Sequence, residues 1–242
     1  MVIEKLECRQ LLSTTAGMDV HGVVVVQLDN SGGNVVIDEF AHFSPLTSND
    51  VQVADPTLPG GIAFFTGATG IKVLGGAGSD SIIINHVENV PVTISAGDGN
   101  DTVGVAADVF QPGVDTFASG SNIDGGNGSN LIVVGGVNNS VITAGNGNDT
   151  IIAGAFATTS TTTLGGENLT IRGGGGDDSI FSGFAGGLVG LTDSTLDGGT
   201  GNDTITDTGS DNFINGGAGS DIITATISDF VVPAHGDVIT RI

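Results

Sequence analysis

The stretch AGNGNDTII, residues 144–152, carries the pattern that decides this fold. Two glycines, Gly145 and Gly147, flank a single residue, Asp149 follows, and Ile151 stands two places later. Paired glycines let the backbone turn at positive φ without a Cβ clash, so the chain can curl tightly and aim its carbonyls. The β-branched residue after the turn suits an extended strand whose alternate side chains point inward. Ile142, two residues before the hexapeptide, puts a second aliphatic side chain on the near side of the turn. The unit reads as strand, tight loop, strand.

Seven such hexapeptides run through the 242 residues: GGAGSD from Gly75, AGDGND from Ala96, GGNGSN from Gly125, AGNGND from Ala144, GGGGDD from Gly173, GGTGND from Gly198 and GGAGSD from Gly216. The second place is always glycine (Gly76, Gly97, Gly126, Gly145, Gly174, Gly199, Gly217), and so is the fourth (Gly78, Gly99, Gly128, Gly147, Gly176, Gly201, Gly219). The sixth is aspartate at Asp80, Asp101, Asp149, Asp178, Asp203 and Asp221, and asparagine at Asn130. Aspartate supplies a hard, charged oxygen, which with main-chain carbonyls is the donor set calcium prefers. Each loop is framed by aliphatic residues: Val73, Ile94, Ile123, Ile142, Ile171, Leu196 and Ile214 before it, and Ile82, Val103, Ile132, Ile151, Ile180, Ile205 and Ile223 after it.

One unit cannot bury its apolar face alone, and stacking neighbours is the general solution. The loops start 18 to 29 residues apart, and the shortest interval suffices for two short strands and two tight turns. Stacking the hexapeptides on one edge sends the longer insertions, 109–121 and 155–167, to the opposite edge. The same edge receives the turns Asn138-Asn139-Ser140, Glu167-Asn168, Asp193-Ser194 and Gly209-Ser210-Asp211-Asn212.

The pattern GGxGxDxUx, with U a large aliphatic residue, resembles the RTX (hemolysin-type) calcium-binding nonapeptide. The resemblance spans roughly residues 71–226. It implies an all-β chain: a right-handed parallel β-roll or β-helix solenoid with Ca²⁺ held between stacked loops. The implied metal ligands are the sixth-position carboxylates of adjacent rungs, from Asp80 to Asp221, together with carbonyls of the loop glycines, Gly75 included. Family members usually run their nonapeptides back to back, with calcium on both edges, whereas here the loops that fit occupy one. Asn130 removes a carboxylate and so weakens the sites it touches.

Charge supports the same reading. The chain holds 27 acidic residues against five basic ones, a net charge of −22. Six divalent ions in the six gaps between seven loops would move that to about −10, so folding is expected to be linked to calcium. Lys5, Arg9, Lys72, Arg172 and Arg241 are scattered singly and build no phosphate-tracking stripe, which argues against nucleic acid. No apolar run is long enough to span a bilayer as a helix. The single cysteine, Cys8, leaves no intrachain disulfide framework.

No catalytic constellation stands out. His21, His42, His86 and His235 form no metal-ligand spacing, and there is neither a GxSxG elbow nor a P-loop. The function expected is therefore a non-enzymatic, extracellular or cell-surface calcium-binding β-roll with a structural or adhesive role, with surface polysaccharide or protein as possible partners. Two alternatives stand beside it. One is a non-catalytic repeat module of a polysaccharide-acting or proteolytic exoenzyme. The other is ice binding, although the third loop positions (Ala77, Asp98, Asn127, Asn146, Gly175, Thr200, Ala218) form no threonine row.

The flanks divide the chain into four expected parts: a leader-like segment over 1–20, capping strands over 21–70, the repeats over 71–226 and a last rung over 227–242. Leu6-Glu7-Cys8-Arg9-Gln10-Leu11-Leu12 resembles the Leu-Glu-Pro-Arg-x-Leu-Leu tag of large exported bacterial surface proteins, with Cys8 in the place of proline. An amphipathic helical start is the other reading. Val23–Leu28 and Val35–Phe40, joined by residues 29–34, read as a hairpin that with Ile62–Phe65 covers the first rung. Phe40, Phe43, Phe64 and Phe65 are expected in the core there. Ile227–Phe230 and Gly236–Ile239 resemble the closing segment that precedes a secretion signal in RTX proteins.

Overall fold

A computed structural model describes residues 14–39, 50–85, 90–106, 119–159, 162–164, 166–183 and 188–242. Among them every regular element is a strand. The chain passes back and forth between two sheets, one of ten strands and one of thirteen. Each loop hexapeptide carries it from the first sheet to the second, and each Asn/Asp-rich turn brings it back. The strands Val141–Asn146, Thr170–Gly175, Thr195–Thr200 and Phe213–Ala218 follow one another in the first sheet, all parallel. Leu131–Gly135, Thr150–Thr159, Ser179–Ser182, Thr204–Asp207 and Ile222–Ala225 do the same in the second. This is a parallel β-roll.

Register follows from the repeat. Ile123, Ile142, Ile171, Leu196 and Ile214 are direct neighbours across the first sheet. Ile82, Val103, Ile132, Ile151, Ile180, Ile205 and Ile223 line up across the second. All of them are buried, and the two rows face each other as the core between the sheets. Burying one such side chain is worth about 1.5–3 kcal/mol. A one-residue slip would turn every one of them outward, so the aliphatic rows hold the register.

The N-terminal part departs from the expected hairpin. Val23–Gln27 and Asn34–Glu39 are strands, but they lie in different sheets and do not pair with each other. Val23–Gln27 runs parallel to Gly70–Leu74, and Asn34–Glu39 runs parallel to Ser81–Asn85. They are a rung of the roll, and residues 28–33 are its loop. The physical reason is that both strands carry an inward aliphatic row, Val24 with Val26 and Val35 with Ile37, which two facing sheets can bury together. Closure comes from other strands: Thr15–Met18 lies antiparallel to Val23–Gln27, and the hairpin of Val51–Ala54 with Ile62–Phe65 lies antiparallel to Asn34–Glu39. In Ile62–Phe65 alternation turns Ala63 and Phe65 toward the core and leaves Phe64 70% exposed, against the expectation that it is buried. Phe40, Phe43, His42, His86, Cys8 and the tag-like segment lie outside the described residues.

Between the second sheet and the opposite edge, Thr150–Thr159 extends beyond its parallel neighbours and pairs antiparallel with Thr162–Leu164 and Leu188–Val189. The described part of the 155–167 insertion thus collects away from the hexapeptides. The return turns take left-handed backbone at Asn139 (φ 49°), Asn168 (φ 55°), Asp193 (φ 50°) and Asp211 (φ 60°), which asparagine and aspartate tolerate better than other residues with a Cβ.

Candidate metal-binding edge

The hexapeptide loops stack in register along one edge, tied by main-chain bonds. Gly128 N–H donates to Asn146 O at 2.7 Å, and Gly147 N–H donates to Gly175 O at 2.7 Å. Gly145 sits at φ 114° and Gly147 at φ 129°. A Cβ on either would also run into the loop beneath, at Gly126 O and Gly128 O, so sterics and backbone conformation both require glycine. The loop at 75–80 differs. Gly76 and Gly78 are not at positive φ, and glycine is needed there because a Cβ would meet the main chain of residues 29–32.

The sixth-position side chains form one continuous buried ladder. Each Oδ1 accepts the main-chain N–H of the same position one rung earlier: Asp101 from Asp80 at 2.7 Å, Asn130 from Asp101 at 2.9 Å, Asp149 from Asn130 at 2.7 Å, Asp178 from Asp149, Asp203 from Asp178 and Asp221 from Asp203, each at 2.8 Å. The second oxygens are another matter. Oδ2 of Asp101, Asp149, Asp178, Asp203 and Asp221 is buried with no hydrogen-bond partner. Beside Gly173 a Cβ would fall on both Asp178 Oδ2 and Gly198 O, and beside Gly198 on both Asp203 Oδ2 and Gly216 O. Carboxylate and carbonyl oxygens therefore converge on the same small cradle.

Two rungs close this gap with the main chain. Asp80 Oδ2 accepts Gly76 N–H at 3.0 Å, within its own loop. Asp237, in the loop at 232–237, takes the ladder position after Asp221, with Oδ1 3.3 Å from Asp221 N and Oδ2 accepting Ala234 N–H at 2.7 Å. Asp237 was missed by pattern because its loop, VPAHGD, lacks the paired glycines. Position five was missed as well. Asn100, Asn148, Asp177 and Asn202 accept the main-chain N–H of the following loop at 2.7–3.0 Å. The available signal was that position five is Ser, Asn or Asp in all seven hexapeptides.

Electrostatics match the geometry. Burial pushes the Asp178 carboxyl up to about 7, opposed by the Asp149 N–H and reinforced by the carboxylates of Asp149, Asp203 and Asp177. Burial likewise raises Asp203 to about 6, with Asp221, Asp177 and Asp197 adding to it. Asp80, Asp101 and Asp149 are raised in the same direction, chiefly by burial. The edge withholds charge compensation from carboxylates that are ionised in ordinary surroundings. Among the described residues no three His, Cys, Asp or Glu side chains gather at one point. A cation here must draw on main-chain oxygens besides one or two carboxylates, which suits the hard, oxygen-seeking calcium ion rather than zinc. His21 is exposed beside Asp19, 3.8 Å away.

Fold and edge together define an acidic-looped parallel β-roll with a donor set for a hard divalent cation. The chain matches the RTX calcium-binding nonapeptide repeat (4 copies) over residues 92–105, 124–159, 170–185 and 190–225. Those matched segments contain every loop, among the described residues, with an unpartnered Oδ2, so the likeness to a calcium-binding repeat falls on the rungs where a cation is wanted. No curated protein matches the chain.

Proposed function

We propose that this chain is an extracellular calcium-stapled β-roll with a structural or adhesive role, whose folding is driven by Ca²⁺ bound along the hexapeptide edge. The ligands in this reading are the carboxylates of Asp101, Asp149, Asp178, Asp203 and Asp221, with carbonyls of their own loop and of the loop above. Asp80 and Asn130, which already have hydrogen-bond partners, stand at the margins of that set. The observation that carries the reading is the row of five buried Oδ2 atoms without a partner. Leaving a charged group in that state is expensive, and a bound cation removes the cost. Calcium supplies positive charge between rungs; the chain's own part is to hold carboxylate and carbonyl oxygens in place through the glycine turns and the Oδ1 ladder.

The extracellular assignment is supported by the charge of −22, which calls for a medium rich in divalent cations, and by the likeness of residues 6–12 to an export tag. A weak affinity, on the order of 10⁻⁴–10⁻³ M, suits that setting. Partners at a cell surface would be polysaccharide or protein. Circular dichroism tests the core of the proposal: strand signal should rise cooperatively with millimolar calcium and collapse on chelation. A protein equally folded in chelator at neutral pH and low ionic strength would remove its basis.

A further inference from the structure

We infer that Asn130 closes its rung without metal, its own amide standing where the aspartate rungs need a cation, so that the array is divided into two blocks of calcium loops. This rests on the calcium reading above and sharpens it. Asn130 is as buried as its aspartate counterparts, at 3% exposure. Its Oδ1 accepts Asp101 N–H at 2.9 Å, the role Asp149 Oδ1 plays toward Asn130 N–H. That bond sets the orientation of the amide, because the oxygen must face the N–H, and so Nδ2 takes the place of the missing Oδ2. From there Nδ2 donates to Gly128 O at 3.4 Å and to Ala144 O at 3.3 Å, one carbonyl in its own loop and one in the next.

The neighbouring glycines show that this is the same cradle. A Cβ at Gly125 would lie 3.0 Å from Asn130 Nδ2 and 2.5 Å from Ala144 O. The equivalent point at Gly198 falls on Asp203 Oδ2 and Gly216 O. In the aspartate rungs two oxygens face one another with no hydrogen between them; at Asn130 the amide brings the hydrogen. A cation is needed in the first case and repelled by the N–H in the second. Asp101 is therefore left on one side of a metal-free rung, with Asp149, Asp178, Asp203 and Asp221 on the other. When calcium is withdrawn, the Asn130 rung stays closed while its neighbours lose their compensation.

Two reciprocal substitutions test this, read by native mass spectrometry for bound calcium and by thermal unfolding in chelator. Asn130→Asp should bind one more calcium ion per chain than wild type and unfold at a lower temperature in chelator. Asp149→Asn should bind one fewer and unfold at a higher temperature in chelator. Calcium counts unchanged by both substitutions would overturn the inference, as would an Asn130→Asp protein at least as stable as wild type in chelator. A wild-type protein that binds no calcium would instead overturn the reading on which the inference rests.

Discussion

The two edges of the roll solve one problem with different chemistry. On the return edge, Ser140 Oγ accepts Ser121 N–H at 3.0 Å and donates to Asn138 O at 2.8 Å. Ser194 Oγ likewise accepts Leu169 N–H at 3.0 Å and donates to Thr192 O at 2.8 Å. Asn212 and Asp229 continue that ladder, and Asp229 Oδ2 is satisfied by Thr226. On the hexapeptide edge the ladder has the same form, a side-chain oxygen accepting the N–H of the rung before. There, however, the second atom is an Oδ2 with no hydrogen to give. A hydroxyl closes its loop internally, whereas a carboxylate leaves it open to an ion. In the calcium reading, the return edge should hold with or without metal, whereas the hexapeptide edge, tied by its main chain and its Oδ1 ladder, should be weakened by its uncompensated carboxylates until positive charge is supplied.

Acidity breaks this comparison most strongly. A proton can do part of what calcium does, because the folded carboxyls of Asp178 and Asp203 sit at about 7 and about 6 against an ordinary value of 3.8. A raised folded pKa contributes stability that is complete below the unfolded value and is lost as pH rises through the folded one. In chelator, the thermal midpoint should therefore fall as pH rises from about 4 to about 7. With calcium bound the fall should be much smaller, and calcium binding near neutral pH should release protons. A midpoint in chelator that is flat across this window would separate the buried carboxylates from calcium dependence.

Backbone substitutions come next. Gly147→Ala places a Cβ against Gly128 O at a φ of 129°, and should cost about 2–4 kcal/mol with or without calcium. Urea unfolding in both conditions measures it. An effect that vanished in calcium would mean that the ion, rather than the glycine, sets the loop shape.

The hexapeptide edge was legible in the sequence because one conformation forces one residue type at each of several places. Paired glycines, a carboxylate and two flanking aliphatics leave little freedom, and Ile142, Asp149 and Ile151 lie where the pattern puts them. The return edge was legible only as turns. Its closing residues are Ser121, Ser140, Ser194, Asn212 and Asp229, since any side chain that offers an acceptor oxygen can take the N–H, and so no consensus accumulates. The first rung was misread for a related reason. Val23–Gln27 and Asn34–Glu39 alternate as strands must, but alternation does not say whether the second strand returns beside the first or crosses to a facing sheet. Val26 and Val35 are nine residues apart, as are Val73 and Ile82, and that spacing marked the crossing.

Removing a hydroxyl should show the return edge to be indifferent to metal. Ser194→Ala strands Leu169 N–H and frees Thr192 O, at a cost of about 1–2 kcal/mol. The same loss is expected in calcium and in chelator, by thermal unfolding. Asp203→Ala is the contrasting case: it strands Asp178 N–H in both conditions, but it should destabilise more in calcium than in chelator, where removing an uncompensated carboxylate offsets part of that loss. Equal calcium sensitivity in the two variants would erase the distinction between the edges.

The smallest expected effect probes strain rather than charge. Asn168 holds a φ of 55° on the return edge and donates through Nδ2 to Asn139 Oδ1 at 2.7 Å. Glycine at 168 relieves the left-handed conformation but loses an exposed hydrogen bond and loosens the unfolded chain, so Asn168→Gly should stay within about 1 kcal/mol of wild type. Asn168→Val, with a branched side chain at the same φ, should cost more than the glycine variant. Both shifts in thermal midpoint should be the same with calcium and without it. If Asn168→Gly instead changed the calcium midpoint of folding, the two edges would be coupled through the rung, and calcium binding on one side would have to be read as tightening the turns on the other.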